Sequence, residues 1–146
     1  MKKPVSILVL VHTLDLEVLL LERAAHPGFW QSVTGSQEGE EPLPMTALRE
    51  LAEETGISIL ADDLIDWRLV NRYEIFPEWR HRYPPEVTHN TEHVFSLQLP
   101  AARAVTVAPN EHLGYRWLPW RQAARAVFSW SNRDAILMLP YLRRTV

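Results

Sequence analysis

The chain contains no cysteine, which removes disulfides, thiolate metal sites and cysteine nucleophiles together and is compatible with an intracellular, cytoplasmic location. It also lacks any apolar run long enough to cross a membrane. The opening stretch "MKKPVSILVLVHTLD" resembles a signal peptide only superficially, because its apolar part is short and no small-residue cleavage motif follows. A buried strand is the expectation there, with no membrane partner. Positive charge is not in surplus either. The formal net charge of −3 gives no general surface for a nucleic acid polymer, although it leaves room for a local basic pocket that takes a small anion. There is no internal repeat and no low-complexity segment. What remains is an ordinary globular composition, 47% apolar and 23% charged over 146 residues, enough for one domain over residues 1–146 with a sizeable core.

Residues 5–11 form an apolar, β-branched run, the pattern of a central strand covered on both faces. Leu14 and Asp15 read as a turn, and residues 18–21 as the partner strand. "HPGFWQSVTGS" has breakers at both ends and a short apolar middle. Pro42 and Pro44 punctuate the approach to a helix, where a missing N–H is tolerated in the first turn. Met45, Leu48, Leu51 and Ala52 recur at intervals of three and four, predicting an amphipathic helix over 45–55 with Gly56 as its C-terminal cap. "DWRLVNRYEIF" and "TEHVFSLQL" read as strands separated by the loop "PEWRHRYPPEVTHN". Residues 115–118 suggest a short strand, 119–127 a short helix, and 129–144 a final helix that Pro140 kinks or ends.

The stretch "GSQEGEEPLPMTALRELAEETGI" crowds Glu38, Glu40, Glu41, Glu50, Glu53 and Glu54 around a single arginine, Arg49. On a helix, Glu50, Glu53 and Glu54 lie three and four apart and share roughly one face. Like charges at that spacing cost a few tenths of a kcal/mol per pair, which a solvated face tolerates. Compact, hard carboxylates gathered in this way also suit Mg²⁺, with Mn²⁺ as the other candidate, better than zinc. Arg49, four residues before Glu53, is positioned to hold it with two parallel hydrogen bonds. Gly35 and Gly39 allow tight bends in the preceding loop.

This stretch resembles the signature of the Nudix hydrolases at each defining position: Gly35, Glu41, Arg49, Glu50, Leu51, Glu53, Glu54, Gly56 and Ile57. The resemblance implies an α/β/α sandwich, with a mixed β-sheet and a catalytic loop-helix-loop, that hydrolyses a nucleoside diphosphate linked to another group. It implies metal held by Glu50 and Glu54, with help from Glu53, neutralising phosphate charge and acidifying the attacking water. Arg49 and Glu53 join the catalytic set. Glu111, in "EHLGYRWL", is a candidate both for a further metal ligand and for the general base.

A narrower resemblance, to the bacterial dihydroneopterin triphosphate pyrophosphatases of folate synthesis, runs through "KPVSILV", "FWQSVTGS", "RHRYPPEVTHNTE", "EHLGYRWL" and "SWSNRDAI". Lys3 departs from the arginine pictured there but keeps the charge. The resemblance implies a small-molecule triphosphate substrate, cleaved to pyrophosphate and a pterin monophosphate. The alternative is a nucleoside triphosphate pyrophosphatase preferring dATP, or another diphosphate hydrolase of the family. A non-catalytic scaffold is the third reading, and the complete set of Arg49, Glu50, Glu53 and Glu54 argues against it. The implied substrate contacts are Lys2, Arg23, Thr34, Tyr73, Glu74, Ile75, Phe76 and Ser129. Lys2 and Arg23 suit phosphates, Thr34 a donated hydrogen bond, and Tyr73 or Phe76 a stacked ring. Ser129 has a second reading as the cap of the last helix. The loop containing Arg80, His81, Arg82 and His89 reads either as an attractor of triphosphate or as a rigid cover for the core. Nothing in the pattern sets the oligomeric state.

Overall fold

The computed structural model describes residues 1–142; Arg143 and Arg144, at the end of the expected last helix, lie outside them. Seven strands build one mixed sheet. The apolar run forms β1 (Val5–Thr13), and a tight turn with Leu16 at φ 63° leads into β2 (Glu17–Arg23). β3 (Trp30–Gln31) and β4 (Val33–Ser36) follow, then helix α1 (Leu43–Thr55). β5 (Ile65–Glu74), β6 (His89–Leu99) and β7 (His112–Pro119) lead to α2 (Trp120–Ala126) and α3 (Trp130–Leu142).

The pairing of β1 opens the sheet. Along one edge it runs parallel to β6 from Val5↔Thr91 to Thr13↔Leu99. On its other edge it pairs with β2 at His12↔Val18 and then with β4 from Val9↔Val33 to Ser6↔Ser36. Meanwhile β2 leaves to pair with β7 and β3. The loops therefore gather where β1 and β2 part.

Alternate residues of β1 feed two cores, as expected for a strand covered on both faces. Ile7, Val9 and Val11 pack with Ala47 and Leu51 of α1, and Leu8 and Leu10 pack with Ala123, Ala135 and Ile136 of α2 and α3. The α/β/α sandwich is thus present. Among the described residues, no helix is long and apolar enough to cross a membrane.

Three expectations need correction. The inward face of α1 is not the Met45, Leu48, Leu51, Ala52 stripe: Met45 is 48% exposed and Ala52 is also exposed, while Thr46, Ala47, Leu51, Glu54 and Thr55 are buried. Glu54 and two threonines occupy positions that an apolar count assigns to solvent. β5 stops at Glu74, so Ile75 and Phe76 lie beyond the strand, and 77–82 wind into a 3₁₀ helix. Pro140 does not end α3. It lies near the helix end, where its missing N–H forfeits only the bond to the carbonyl of Ile136.

Candidate active site

Gly56, at φ 74°, closes α1 by donating its N–H to Ala52, and the side chain that ties this helix to the loop before it is Arg49. Its Nη2 and Nε donate to Oε1 and Oε2 of Glu41 at 2.6 and 3.3 Å. Nη2 also donates to the carbonyl of Ser36 at 3.0 Å, and Nη1 to Oε1 of Glu50 at 2.7 Å. The parallel pair of bonds thus goes to Glu41 and not to Glu53, which receives one contact of 3.5 Å. The reason is reach: Glu41 comes from the loop and can present both oxygens to the guanidinium fork, whereas Glu53 sits on the same helix.

Arg49 holds the Glu41 carboxyl at about 2, far below its ordinary 4.5. A carboxyl with a depressed folded pKa contributes stability above its unfolded pKa and loses it as pH falls toward the folded one. Wild type should therefore lose stability between pH 4.5 and about 2 more steeply than Glu41→Gln, measured as denaturation midpoints across that window. Parallel curves would show that the pair contributes nothing to acid stability.

A cleft of about 1260 Å³ opens where the sheet parts, and Glu50, Glu54 and Glu111 all line it. Glu54 is buried, and its Oε1 lacks a hydrogen-bond partner among the described residues. Its pKa is pushed well up by burial, then by Glu50 and Glu111, against the opposing backbone N–H of Thr34. Nε2 of His112 lies 3.6 Å from that orphan oxygen, but burial lowers the imidazole to about 4, so the two do not form an ion pair at neutral pH. Glu50 is seated directly over Gly35, where a Cβ would overlap its Cγ and Cδ.

A buried, partnerless carboxylate oxygen beside two further carboxylates is a donor set that fits a hard divalent cation. Among the described residues, no three such groups converge closely enough to cage an ion by themselves. The arrangement suits a cation that keeps waters and takes phosphate oxygens as its other ligands.

Glu53 and Arg49 do not line this cleft. The side chain of Glu53 is 53% exposed, against 3% for Glu54. At about 100° per residue, the third position after Glu50 and the fourth fall on opposite sides of it, and only the fourth turns inward. Arg49 is tied to the cleft through its bond to Glu50.

Lys2, Arg23, Thr34, Tyr73, Glu74, Phe76 and Ser129 all border the cleft. Ile75 does not: it is buried, 3% exposed, and its N–H bonds to Thr88. The hydroxyl of Thr34 donates to the carbonyl of Ile7 at 3.0 Å, so the expected donor is already engaged. Ser129 Oγ accepts the N–H of Asn132 at 3.2 Å, which is its capping role. Nε of Arg23 is buried without a partner among the described residues, while Nη1 donates to Gln31 and the guanidinium lies 4.7 Å from the Trp79 ring centre. Desolvation and the charge of Arg82 lower its pKa. Desolvation, Arg82 and Arg23 do the same to Lys2. Three cations crowded in this way have their repulsion relieved by an anion placed among them.

Sequence reasoning missed several residues. Trp79 and Phe128 join Phe76 in an aromatic wall, with Phe76 and Trp79 ring centres 4.9 Å apart. Of the basic loop, Arg82 lines the cleft, whereas Arg80 and His81 do not. Asn90 and Glu92 form part of its polar floor. The available signal was parity: both share a sheet face with buried Val94.

The NUDIX domain family matches residues 2–139. The chain is 49% identical over 138 residues to the dihydroneopterin triphosphate diphosphatase of Escherichia coli, covering 92% of this chain and 91% of that protein. It is 37% identical over 134 residues to the protein of the same name from Haemophilus influenzae, covering 90% and 84%. The solved structure of the E. coli dihydroneopterin triphosphate pyrophosphohydrolase superimposes with a TM-score of 0.87 at 48% identity, covering 92% of this chain and 93% of that one.

Proposed function

The chain belongs to the Nudix family, and from that premise we propose that its single domain hydrolyses dihydroneopterin triphosphate to dihydroneopterin monophosphate and pyrophosphate, as a cytoplasmic step of folate synthesis. The observation that carries this reading is one cleft in which three carboxylates and three cations, Lys2, Arg23 and Arg82, act on one another: Lys2 feels Glu50 and Glu111, and Arg23 feels Glu54 and Glu111. Lys2, Arg23 and Arg82 grip the phosphate oxygens, with the unpartnered Nε of Arg23 as one donor. Glu50 and Glu54 would hold Mg²⁺, with Glu111 as the third carboxylate. When bound there, the ion would supply charge neutralisation at the phosphates and acidify a water beside it. Arg49 keeps Glu50 in place, and Glu41 keeps Arg49 in place. Phe76 and Trp79 flank a planar ring at the wall of the cleft.

The test is pyrophosphate release from dihydroneopterin triphosphate beside dATP, GTP and a dinucleoside tetraphosphate, with and without Mg²⁺. The pterin should be preferred, with monophosphate and pyrophosphate as the only products and no turnover without metal. A nucleotide preference would keep the fold and chemistry but overturn the substrate.

A further inference from the structure

Glu92 is buried on β6, 4% exposed, and lines the cleft. It stands in register with Ser6 on β1 and Asn71 on β5, on the sheet face it shares with Leu8 and Val94 beneath α3. Ser131 and Asn71 hydrogen-bond to its carboxyl, yet Oε1 is left without a partner among the described residues. Asn90, two residues earlier and 2% exposed, repeats the situation. Its amide nitrogen donates to Ser6 Oγ at 2.7 Å and to Tyr73 Oη at 2.9 Å. Both donors are thereby used, and Oδ1 has no partner among the described residues.

Two orphaned acceptors on one face of a cleft are costly unless a ligand supplies donors, since each has given up its hydrogen bonds to water without a replacement. Neither belongs to the phosphate end. Glu50 seats over Gly35, which pairs with Ile7 on the α1 face of the sheet, whereas Glu92 lies on the α3 face. A carboxylate there would also repel phosphates. This end therefore suits an uncharged, donor-rich group linked to phosphates at the other end.

We propose that Glu92, supported by Asn90, is the specificity-determining contact for the ring, accepting hydrogen bonds from the donor edge formed by the 2-amino group of a pterin and the ring N–H beside it. This rests on the proposed pterin triphosphate activity and adds to it the atoms that recognise the ring. Adenine presents one amino group flanked by acceptors and matches two orphaned oxygens less well. Burial raises the Glu92 pKa against the hydrogen bonds of Ser131 and Asn71, consistent with an oxygen that lacks its partner.

The experiment compares kcat/KM for dihydroneopterin triphosphate and for dATP in wild type, Glu92→Gln and Glu92→Leu. The pterin-over-dATP ratio should fall about 10- to 100-fold, the loss for one hydrogen bond to a charged group. An unchanged ratio, or equal loss on both substrates, overturns the assignment. A measurement on wild type alone keeps it testable if the variants misfold. Free neopterin should compete with substrate about tenfold better than its 2-oxo analogue, whose oxygen would face the orphaned acceptors; equal competition overturns the assignment. A wild-type enzyme that ignores dihydroneopterin triphosphate overturns the proposed function, whereas one that hydrolyses it with no role for Glu92 overturns this inference alone.

Discussion

Glu54→Gln should lower turnover about 100- to 1000-fold, the several kcal/mol that a correctly held divalent ion contributes to phosphate transition states, while the protein stays folded. The substitution is nearly isosteric and removes a carboxyl that burial and two neighbouring carboxylates already disfavour as an anion. Without metal, the variant should melt at or above the wild-type temperature. Wild type should gain stability when Mg²⁺ is added, because an ion that binds only the folded form stabilises it by mass action. Glu54→Gln should lose most of that gain. Retained turnover, or an undiminished Mg²⁺-dependent rise in melting temperature, would remove Glu54 from the metal site.

Gly35→Ala should cost about as much activity by a different route. A Cβ at position 35 would occupy the space of the Glu50 Cγ and Cδ, so the carboxylate must swing out and take its bond from Arg49 with it. Catalytic groups displaced by about an ångström lose on the order of 100-fold. Gly114→Ala is the control, since a Cβ there meets nothing within 4 Å. The expected pattern is a large fall in kcat for the first and little change for the second, with similar melting temperatures. Equal activities would mean that Glu50 has room to spare.

The carboxylate cluster around Arg49 was legible in the sequence because it is local. Gly35 near the end of β4, Glu41 in the loop that follows, and Arg49, Glu50 and Glu54 on α1 lie close together along the chain. Strand β1 was legible for a similar reason: an unbroken apolar run has few other fates. Legibility failed wherever a partner lay outside the regular spacing of a single element. Arg49 was assigned to Glu53 because helical spacing is visible and a loop's return path is not. The inward face of α1 was misread because its buried positions include Thr46, Glu54 and Thr55, which a hydrophobicity count rejects. Glu92 was passed over as an ordinary strand residue, and Asn90 as the last residue of the loop before it. Their burial depends on register with Ser6, Asn71 and Tyr73, which no short window contains. Ile75 was included by continuity with its neighbours, and the end of β5 at Glu74 placed it elsewhere.

The parallel pairing of β1 with β6 has a consequence for how the molecule comes into being. Val5 must find Thr91, and Thr13 must find Leu99, across more than half the chain. Contacts this distant impose their loop-closure entropy before they return any stabilisation, and folds dominated by them form slowly. During synthesis, the most apolar strand emerges first and waits without its longest partner until β6 has left the ribosome. Until then its edge is exposed to other unfinished chains. The cleft, which needs Lys2 from one end and Ser129 from the other, is therefore among the last features to exist.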